Sequence, residues 1–362
     1  MTRLVVDARL AGHSGIGTYL AELLPRVAEA TAAWRPLVLC TRASRSHVAG
    51  WALRDVELAE WDVPPLSVGD LWSAPPGVGP RDLLWTPHFN VPLRSRVPVA
   101  VTLHDLLPLT EPALAGYGRS LPVRAWLRAI GERARAVFCV SAFTRGEALR
   151  HARLDPARLA VTHLGVDRAW THPGRVAPAA PPTLVFVGLL KPHKNVARLV
   201  RAFLAVRGRI PHRLVLVARH AGIRNVDREA LALAQAHPDR IELVADLPFA
   251  DLVARVQSAQ GAVQPSLHEG FGLPAVEAMA AGVPVLAGRA GAMPEVCGDA
   301  ALYCDPRSED DIARSLLRLA LEPDLRAALA AAGIERARTF SWEACAAATV
   351  QGLTRALQEV AA

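Results

Sequence analysis

Short apolar runs recur along the whole chain, each closed by a turn and followed by a stretch with helical spacing. The runs at Arg3–Ala8, Pro36–Thr41, Val56–Trp61, Pro98–Leu103, Ala136–Val140 and Leu159–Leu164 read as strands, and Leu83–Asn90 reads as a strand running into a polar loop. After Thr171–Pro182, which carries Pro173, Gly174, Pro178, Pro181 and Pro182, the alternation starts again. It gives strands at Thr183–Val187, Leu214–Ala218, Ile241–Val244, Ala262–Ser266, Val283–Ala287 and Ala301–Cys304. Strand–helix alternation of this kind predicts a parallel sheet covered by helices on both faces. The chain therefore reads as α/β, with two doubly wound, Rossmann-like domains at residues 1–172 and 173–341. A last helix, from Trp342, is long enough to cross back onto the first domain. No short-period repeat interrupts the pattern.

Composition narrows the class. At 362 residues, 51% hydrophobic and 21% charged, the chain builds large cores and is not globally disordered. No apolar run approaches the ~20 residues of a membrane span. The opening Met1–Asp7 reads as a strand, not as a signal peptide, so a cytoplasmic location is expected. The five cysteines are scattered, without metal-ligand spacing, and read as buried thiols. The net charge of +7 suits an anionic partner: nucleotide phosphate, acidic lipid or nucleic acid. Dispersed basic residues with few aromatics argue against nucleic acid.

Two strand–glycine–helix junctions carry candidate chemistry. In the first, Gly12-His13-Ser14-Gly15-Ile16-Gly17 opens a helix, but the third glycine of a dinucleotide fingerprint falls on Leu20. Close approach of some ligand at Gly15 and Gly17 remains. The second junction, His268–Glu277, holds Glu269 and Glu277 eight positions apart around Gly270, Phe271, Gly272, Leu273 and Pro274. Pro274 suits the first helical position, which puts Glu277 in the first turn of a helix running to Ala281. A helix start attracts phosphate, and carboxylates accept hydroxyls. A nucleotide sugar offers both, and Lys191 and Lys194, near Gly188 on another loop, would supply charge for its diphosphate. The plainer reading is a Glu277 favoured by the helix macrodipole and a solvated Glu269.

His104-Asp105 closes the strand at Pro98–Leu103, at the sheet edge where ligands gather. It is either a catalytic pair or a surface turn with Asp105 capping the next segment. The helix Arg119–Arg135 carries five arginines around Trp126, Leu127 and Ile130, and reads either as a membrane-surface helix or as a packed helix with a solvated face.

With these residues assembled, the sequence resembles glycosyltransferase family 4, of the GT-B fold, on its mannosyltransferase-like branch of bacterial polysaccharide synthesis. The likeness rests on Glu269 and Glu277 as a paired-glutamate motif within Pro265–Pro274. It also rests on Gly15–Tyr19, His104-Asp105, Val140-Ser141, Gly165-Val166-Asp167, Pro192–Asn195, Pro294–Val296 and Phe340–Trp342, in that order. The resemblance implies two Rossmann-like domains facing across a cleft, the first for acceptor and the second for nucleotide sugar. It implies that Glu277 holds the ribose and Glu269 the transferred sugar. The N–H groups of Phe271, Gly272 and Leu273, with Lys194, would hold the diphosphate. Gly15 and Gly17 would admit the donor phosphate, and His104 would sit beside the donor sugar.

The implied reaction is retaining transfer of a hexose, with GDP-mannose the first choice of donor, to a glycan or lipid-linked acceptor. It would need no cofactor beyond the nucleotide sugar and no essential metal, and Arg119–Arg135 is the segment that would meet an anionic membrane surface. Relatives often carry an arginine where this chain has Leu189 or His193, so Lys191 is expected to stand in as a point charge without a bidentate fork. The alternatives are another donor, an epimerase or phosphorylase on the same fold, and a non-catalytic partner subunit.

Overall fold

The structure is a computed structural model, and it describes every residue except 1, 14, 52, 116–119, 153, 172–176, 220–224 and 246. It divides into two compact units. The first holds the chain to Ala113, its continuation to Gly165, and Ser341–Ala362; the second runs Val166–Phe340.

The sheet of the first unit contains β1 (Leu4–Asp7), β2 (Leu37–Cys40), β3 (Glu57–Glu60), β4 (Leu83–Thr86), β5 (Val99–Leu103), β6 (Ala134–Cys139) and β7 (Leu159–Val161). Their order is β3-β2-β1-β4-β5-β6-β7, with every pair parallel. β1, β2, β4 and β5 are buried at every residue, as strands covered on both faces must be. β3 reads Glu-Leu-Ala-Glu and is partly exposed, the charged edge that discourages further pairing.

The second unit contains β8 (Thr183–Leu189), β9 (Arg213–Arg219), β10 (Ile241–Val244), β11 (Gly261–Gln264), β12 (Val285–Gly288) and β13 (Ala301–Cys304). The order is β10-β9-β8-β11-β12-β13, again all parallel. In each sheet the strand order reverses once, between β1 and β4 and between β8 and β11. Ligands of open parallel sheets bind beyond the strand carboxyl ends at such reversals. The loops that leave β1, β8 and β11 are the glycine turn, the Lys191–Lys194 segment and the Glu269 segment, so topology alone brings the last two together.

The expected boundary at residues 172 and 173 falls outside the described residues. The compact units part earlier, at Gly165, because the short helix Arg168–Thr171 packs with the second unit. Its Trp170 is buried, with its ring edge-on to Phe249 at 5.8 Å. The final helix, Trp342–Ala361, is capped by Ser341, whose Oγ accepts the Ala344 N–H at 3.1 Å. It packs on the Ile16–Ala30 helix and on β6. A Cβ at Gly165 would lie 2.1 Å from the Trp342 nitrogen, so this crossing requires glycine.

The basic helix runs Ser120–Arg133; Arg119 lies outside the described residues and Arg135 belongs to β6. Trp126, Leu127 and Ile130 are buried in the first unit's core, while Arg124 and Arg128 face outward. Its apolar stripe is therefore spent on the protein. All five cysteines are buried and unpaired. Among the described residues, no helix is long and apolar enough to cross a membrane.

Candidate functional site

Beyond β8 the chain makes a tight turn. Pro192 opens a single 3-10 turn ending at Lys194, and Asn195 then takes a left-handed conformation, φ 62°. Its Nδ2 donates to the carbonyls of Pro265, 3.0 Å, and Pro306, 2.7 Å. Leu267 N–H donates to the His193 carbonyl at 2.8 Å, and Gln264 Nε2 donates to the Val187 carbonyl at 3.0 Å. These bonds lash the loop after β8 to the loop after β11.

As a result Lys194 Nζ lies 2.7 Å from Glu269 Oε1, and Ser266 Oγ donates to the same oxygen at 2.7 Å. The two side chains of the ion pair are only 14% and 11% exposed. Burial alone would push the Glu269 carboxyl up. The charges of Lys194 and His193 and the bonds from Lys194 and Ser266 outweigh it, and hold the group below the usual carboxylate range. Among the described residues both bonds fall on Oε1, which leaves Oε2 open to a ligand hydroxyl. The pairing is a finding the motif did not contain: the resemblance puts Lys194 on a diphosphate and Glu269 on a sugar, and here they hold each other.

Two glycines, one at the end of β12 and one just past it, brace this loop. A Cβ on Gly291, at φ 59°, would lie 2.5 Å from the Glu269 carbonyl oxygen, and one on Gly288 would lie 2.7 Å from that of Ser266. Ala292 N–H donates to the Glu269 carbonyl at 2.9 Å. Sequence reading gave neither glycine a role; their only signal was a Gly-x-x-Gly spacing just past an apolar run.

The helix of the paired-glutamate motif runs Leu273–Ala280, with Gly272 as its N-cap at φ 94°. A side chain there would be strained and would meet Met293 Sδ at 2.5 Å. The N–H groups of Gly272 and Leu273 make no hydrogen bond among the described residues, so they suit an anion. Phe271 is buried with its ring edge-on to Phe340 at 5.3 Å, so its side chain anchors the turn. Gly270 is buried in the same turn.

One expectation is corrected. Pro274 is the second helical residue and Glu277 the fifth, so Glu277 sits in the second turn, beyond the range of the macrodipole. Its carboxyl is half-buried and pushed up to about 7, first by burial and then by the charge of Asp167, with the Trp170 indole pulling the other way. Gly188 lies near the end of β8; a Cβ on it would meet the Phe186 ring at 3.1 Å. Lys191 stands at the start of the 3-10 turn.

In the first unit the glycine turn follows β1. Gly15 caps the Ile16–Ala30 helix at φ 53° with open space where a Cβ would be, and Gly17 packs against Gly12. Ser14 lies outside the described residues. His104 follows β5. Its ring is edge-on to Tyr19 at 4.9 Å, and the Tyr19 hydroxyl shares a hydrogen bond with Thr102 Oγ1 at 2.9 Å. Burial drives the imidazole down to about 4, against the opposing effects of Asp105 and a hydrogen bond to the Pro87 carbonyl. His104 is thus neutral near pH 7, and its Nε2 is buried with no partner among the described residues. An orphaned buried nitrogen of that kind is costly unless a ligand completes it. Asp105 accepts the Leu107 N–H at 3.0 Å, a turn bond one residue ahead of the N-cap, which is Leu106, so Asp105 does not cap the short helix Leu107–Thr110.

No group of three or more His, Cys, Asp or Glu among the described residues is placed to hold a metal ion. A family model for glycosyl transferases group 1 matches residues 171–336, and one for glycosyltransferase family 4 matches residues 79–170. O-antigen chain mannosyltransferase B of Escherichia coli is 30% identical over 278 residues, which cover 73% of this chain and 72% of that protein.

The chain belongs to glycosyltransferase family 4. Among the family's members, an MMP alpha-(1->4)-mannosyltransferase of Mycolicibacterium hassiacum is 31% identical to this transferase over 294 residues, 73% of this chain and 67% of that one. The fold is GT-B. Anabaena HepE, solved in complex with UDP-glucose, matches 98% of this chain and all of its own with a TM-score of 0.75, at 16% identity.

Proposed function

We propose that this family 4 glycosyltransferase moves mannose from GDP-mannose, with retention of configuration, to a glycan or lipid-linked acceptor in bacterial surface polysaccharide synthesis. The mannosyltransferase names of two relatives support the sugar. The observation that carries the reading is the Lys194–Glu269–Ser266 cluster beside a glycine-capped helix start. An ionised carboxylate with one oxygen open accepts hydroxyls of the transferred sugar. The ammonium of Lys194 has two further donors for a phosphate oxygen, and the Gly272 and Leu273 N–H groups add a second anchor. We assign Glu277 to the ribose hydroxyls, and Lys191 and the Gly270–Phe271 turn to the diphosphate.

Within the first unit we assign His104, whose Nε2 has no partner among the described residues, to a sugar hydroxyl, and the Gly15 and Gly17 turn to phosphate. Glu269 is held by two bonds and is assigned to binding, not to attack. The reading is therefore same-face attack: the acceptor oxygen bonds to the anomeric carbon as the bond to the diphosphate breaks. A phosphate oxygen takes the acceptor proton. Lys194 and the helix N–H groups stabilise the leaving charge, so this route requires no metal.

The expected peripheral attachment becomes electrostatic in this reading. It rests on Arg124 and Arg128, since Trp126 and Ile130 are buried. The test of function is release of GDP and of mannosylated product from GDP-mannose and an α-mannoside, with the product anomer read by NMR. Glu269→Ala and Lys194→Ala should each cut turnover by about 100-fold or more, the scale for losing one preorganised charge at a transition state. Unimpaired transfer by either folded variant would sink the assignment, and an inverted product would sink retention.

A further inference from the structure

We propose that Trp72 is the stacking platform of an acceptor-sugar subsite on the first unit; the proposal rests on the transferase reading and deepens it. Trp72 ends the short helix Val68–Trp72 and is 58% exposed, the most exposed large hydrophobic side chain among the described residues. A lone exposed indole is ordinary by itself. What separates this one is how firmly its helix is held and where.

Asp70, two residues earlier, is buried and turned back toward the sheet. Its Oδ1 pairs with Arg9 Nη1 at 2.8 Å, and its Oδ2 accepts Asn90 Nδ2 at 3.0 Å and the Leu66 N–H at 2.9 Å. Arg9 is wholly buried, pairs with Asp7 at 2.7 Å and lies 3.3 Å over the Trp61 ring. The Leu71 carbonyl is tied to Leu93 N–H at 3.0 Å. Arg9 follows β1 and Asn90 lies beyond β4, so the helix is riveted to the carboxyl edge at the strand-order reversal, where ligands of such sheets bind.

Taking two carboxylates and a guanidinium out of water is costly, and here the cluster fixes a helix of five residues whose outward product is an indole face. Residues two apart on a helix point to nearly opposite sides, so anchoring Asp70 inward presents Trp72 outward. A pyranose has one face of C–H groups that packs on an indole, while its hydroxyl rim stays in water. The proposed reaction uses a glycan-bearing acceptor as its second substrate, and this platform supplies the apolar half of its recognition.

The test is calorimetric titration of the full chain with α-mannotriose as acceptor probe and, separately, with GDP-mannose. Trp72→Ala should weaken mannotriose binding at least about fivefold, the low end of what losing an aromatic stacking partner costs. Trp72→Phe should keep most of the affinity, and GDP-mannose affinity should be the same in all three proteins. Unchanged mannotriose affinity in Trp72→Ala overturns the proposal, as does a wild type that does not bind mannotriose. Loss of binding to phosphatidylglycerol vesicles with mannotriose binding intact would also overturn it, since the indole would then be a lipid contact. Failure of the wild type to bind GDP-mannose is a failure of the donor reading, visible in its own titration whatever Trp72 does.

Discussion

Glu277→Gln should stabilise this protein at alkaline pH while weakening its hold on the donor. The Glu277 carboxyl stands at about 7 in the fold against an ordinary 4.5. At about 1.4 kcal/mol per unit, ionising it in the native state costs about 3 kcal/mol, a ceiling because the group is half-buried and solvent relieves part of the cost. The sign follows from proton counting. Between 4.5 and about 7 the native state binds more protons at this site than the unfolded chain, so stability falls as pH rises through that window. The amide that replaces the carboxyl has no such proton to lose and fills the same volume. The variant and the wild type should therefore melt together near pH 4.5 and diverge to a plateau above pH 8, the variant higher. For a unit of this size 1 kcal/mol moves Tm by roughly 2–4 °C, so a gap of about 5 °C is measurable by calorimetry. Taking the difference between the two proteins at each pH cancels the titrating groups that do not interact with Glu277. A difference that is flat with pH, or a variant less stable at pH 8, would refute the account of Glu277 as a carboxylate held against its own electrostatics.

Other consequences are as direct. The acid limb of kcat/KM should lie near 7, vanish in Glu277→Gln and persist in His104→Gln, because burial keeps the imidazole neutral down to about 4. His104→Ala, which removes the nitrogen assigned to a sugar hydroxyl together with the ring's edge contact to Tyr19 and its bond to the Pro87 carbonyl, should lower both kcat/KM and Tm; an unchanged kcat/KM would remove His104 from the site. Gly291→Ala should cost about 1–3 kcal/mol and most of the activity, since the new Cβ meets the Glu269 carbonyl oxygen at 2.5 Å. Gly298→Ala, also at positive φ but with nothing nearer than 3.8 Å, is its control for backbone strain alone and should stay active. Flotation with phosphatidylglycerol vesicles should be lost in the double variant Arg124→Gln, Arg128→Gln and in high salt; binding unchanged in both would reject the basic helix as a lipid contact.

The strands were legible because each is an apolar run bounded by turns, and burial on both faces of a parallel sheet writes that pattern directly. Strand order is a different kind of fact. Nothing local in the sequence says that β8 pairs with β11, yet that pairing sets Lys194 beside Glu269 across 75 positions. The Ser120–Arg133 helix shows the same limit from another side. Its 3.6-residue spacing declares one apolar face, but periodicity cannot say whether lipid or protein covers it, and Trp126 and Ile130 turn out to be core. A one-residue difference in where the Leu273–Ala280 helix begins was enough to move Glu277 from the first turn to the second. The macrodipole argument fell with it, and burial with Asp167 took its place. Gly291 was illegible for a simpler reason: its partner is a backbone carbonyl, which has no sequence signature.

The two glutamates of one motif are thus held in opposite states by their surroundings, Glu269 below the ordinary range and Glu277 far above it. That asymmetry bears on what Lys194 does. Paired with Glu269, Lys194 brings no net charge to the site, so it cannot be the main attraction for an incoming diphosphate. On the proposed reading the long-range pull falls to the helix start, while the pair fixes geometry. A lone ammonium there would collect any passing phosphate. On the proposed reading, one already bonded to a carboxylate holds best an anion that also brings sugar hydroxyls to Glu269, and that coupling would favour a nucleotide sugar over a free nucleotide.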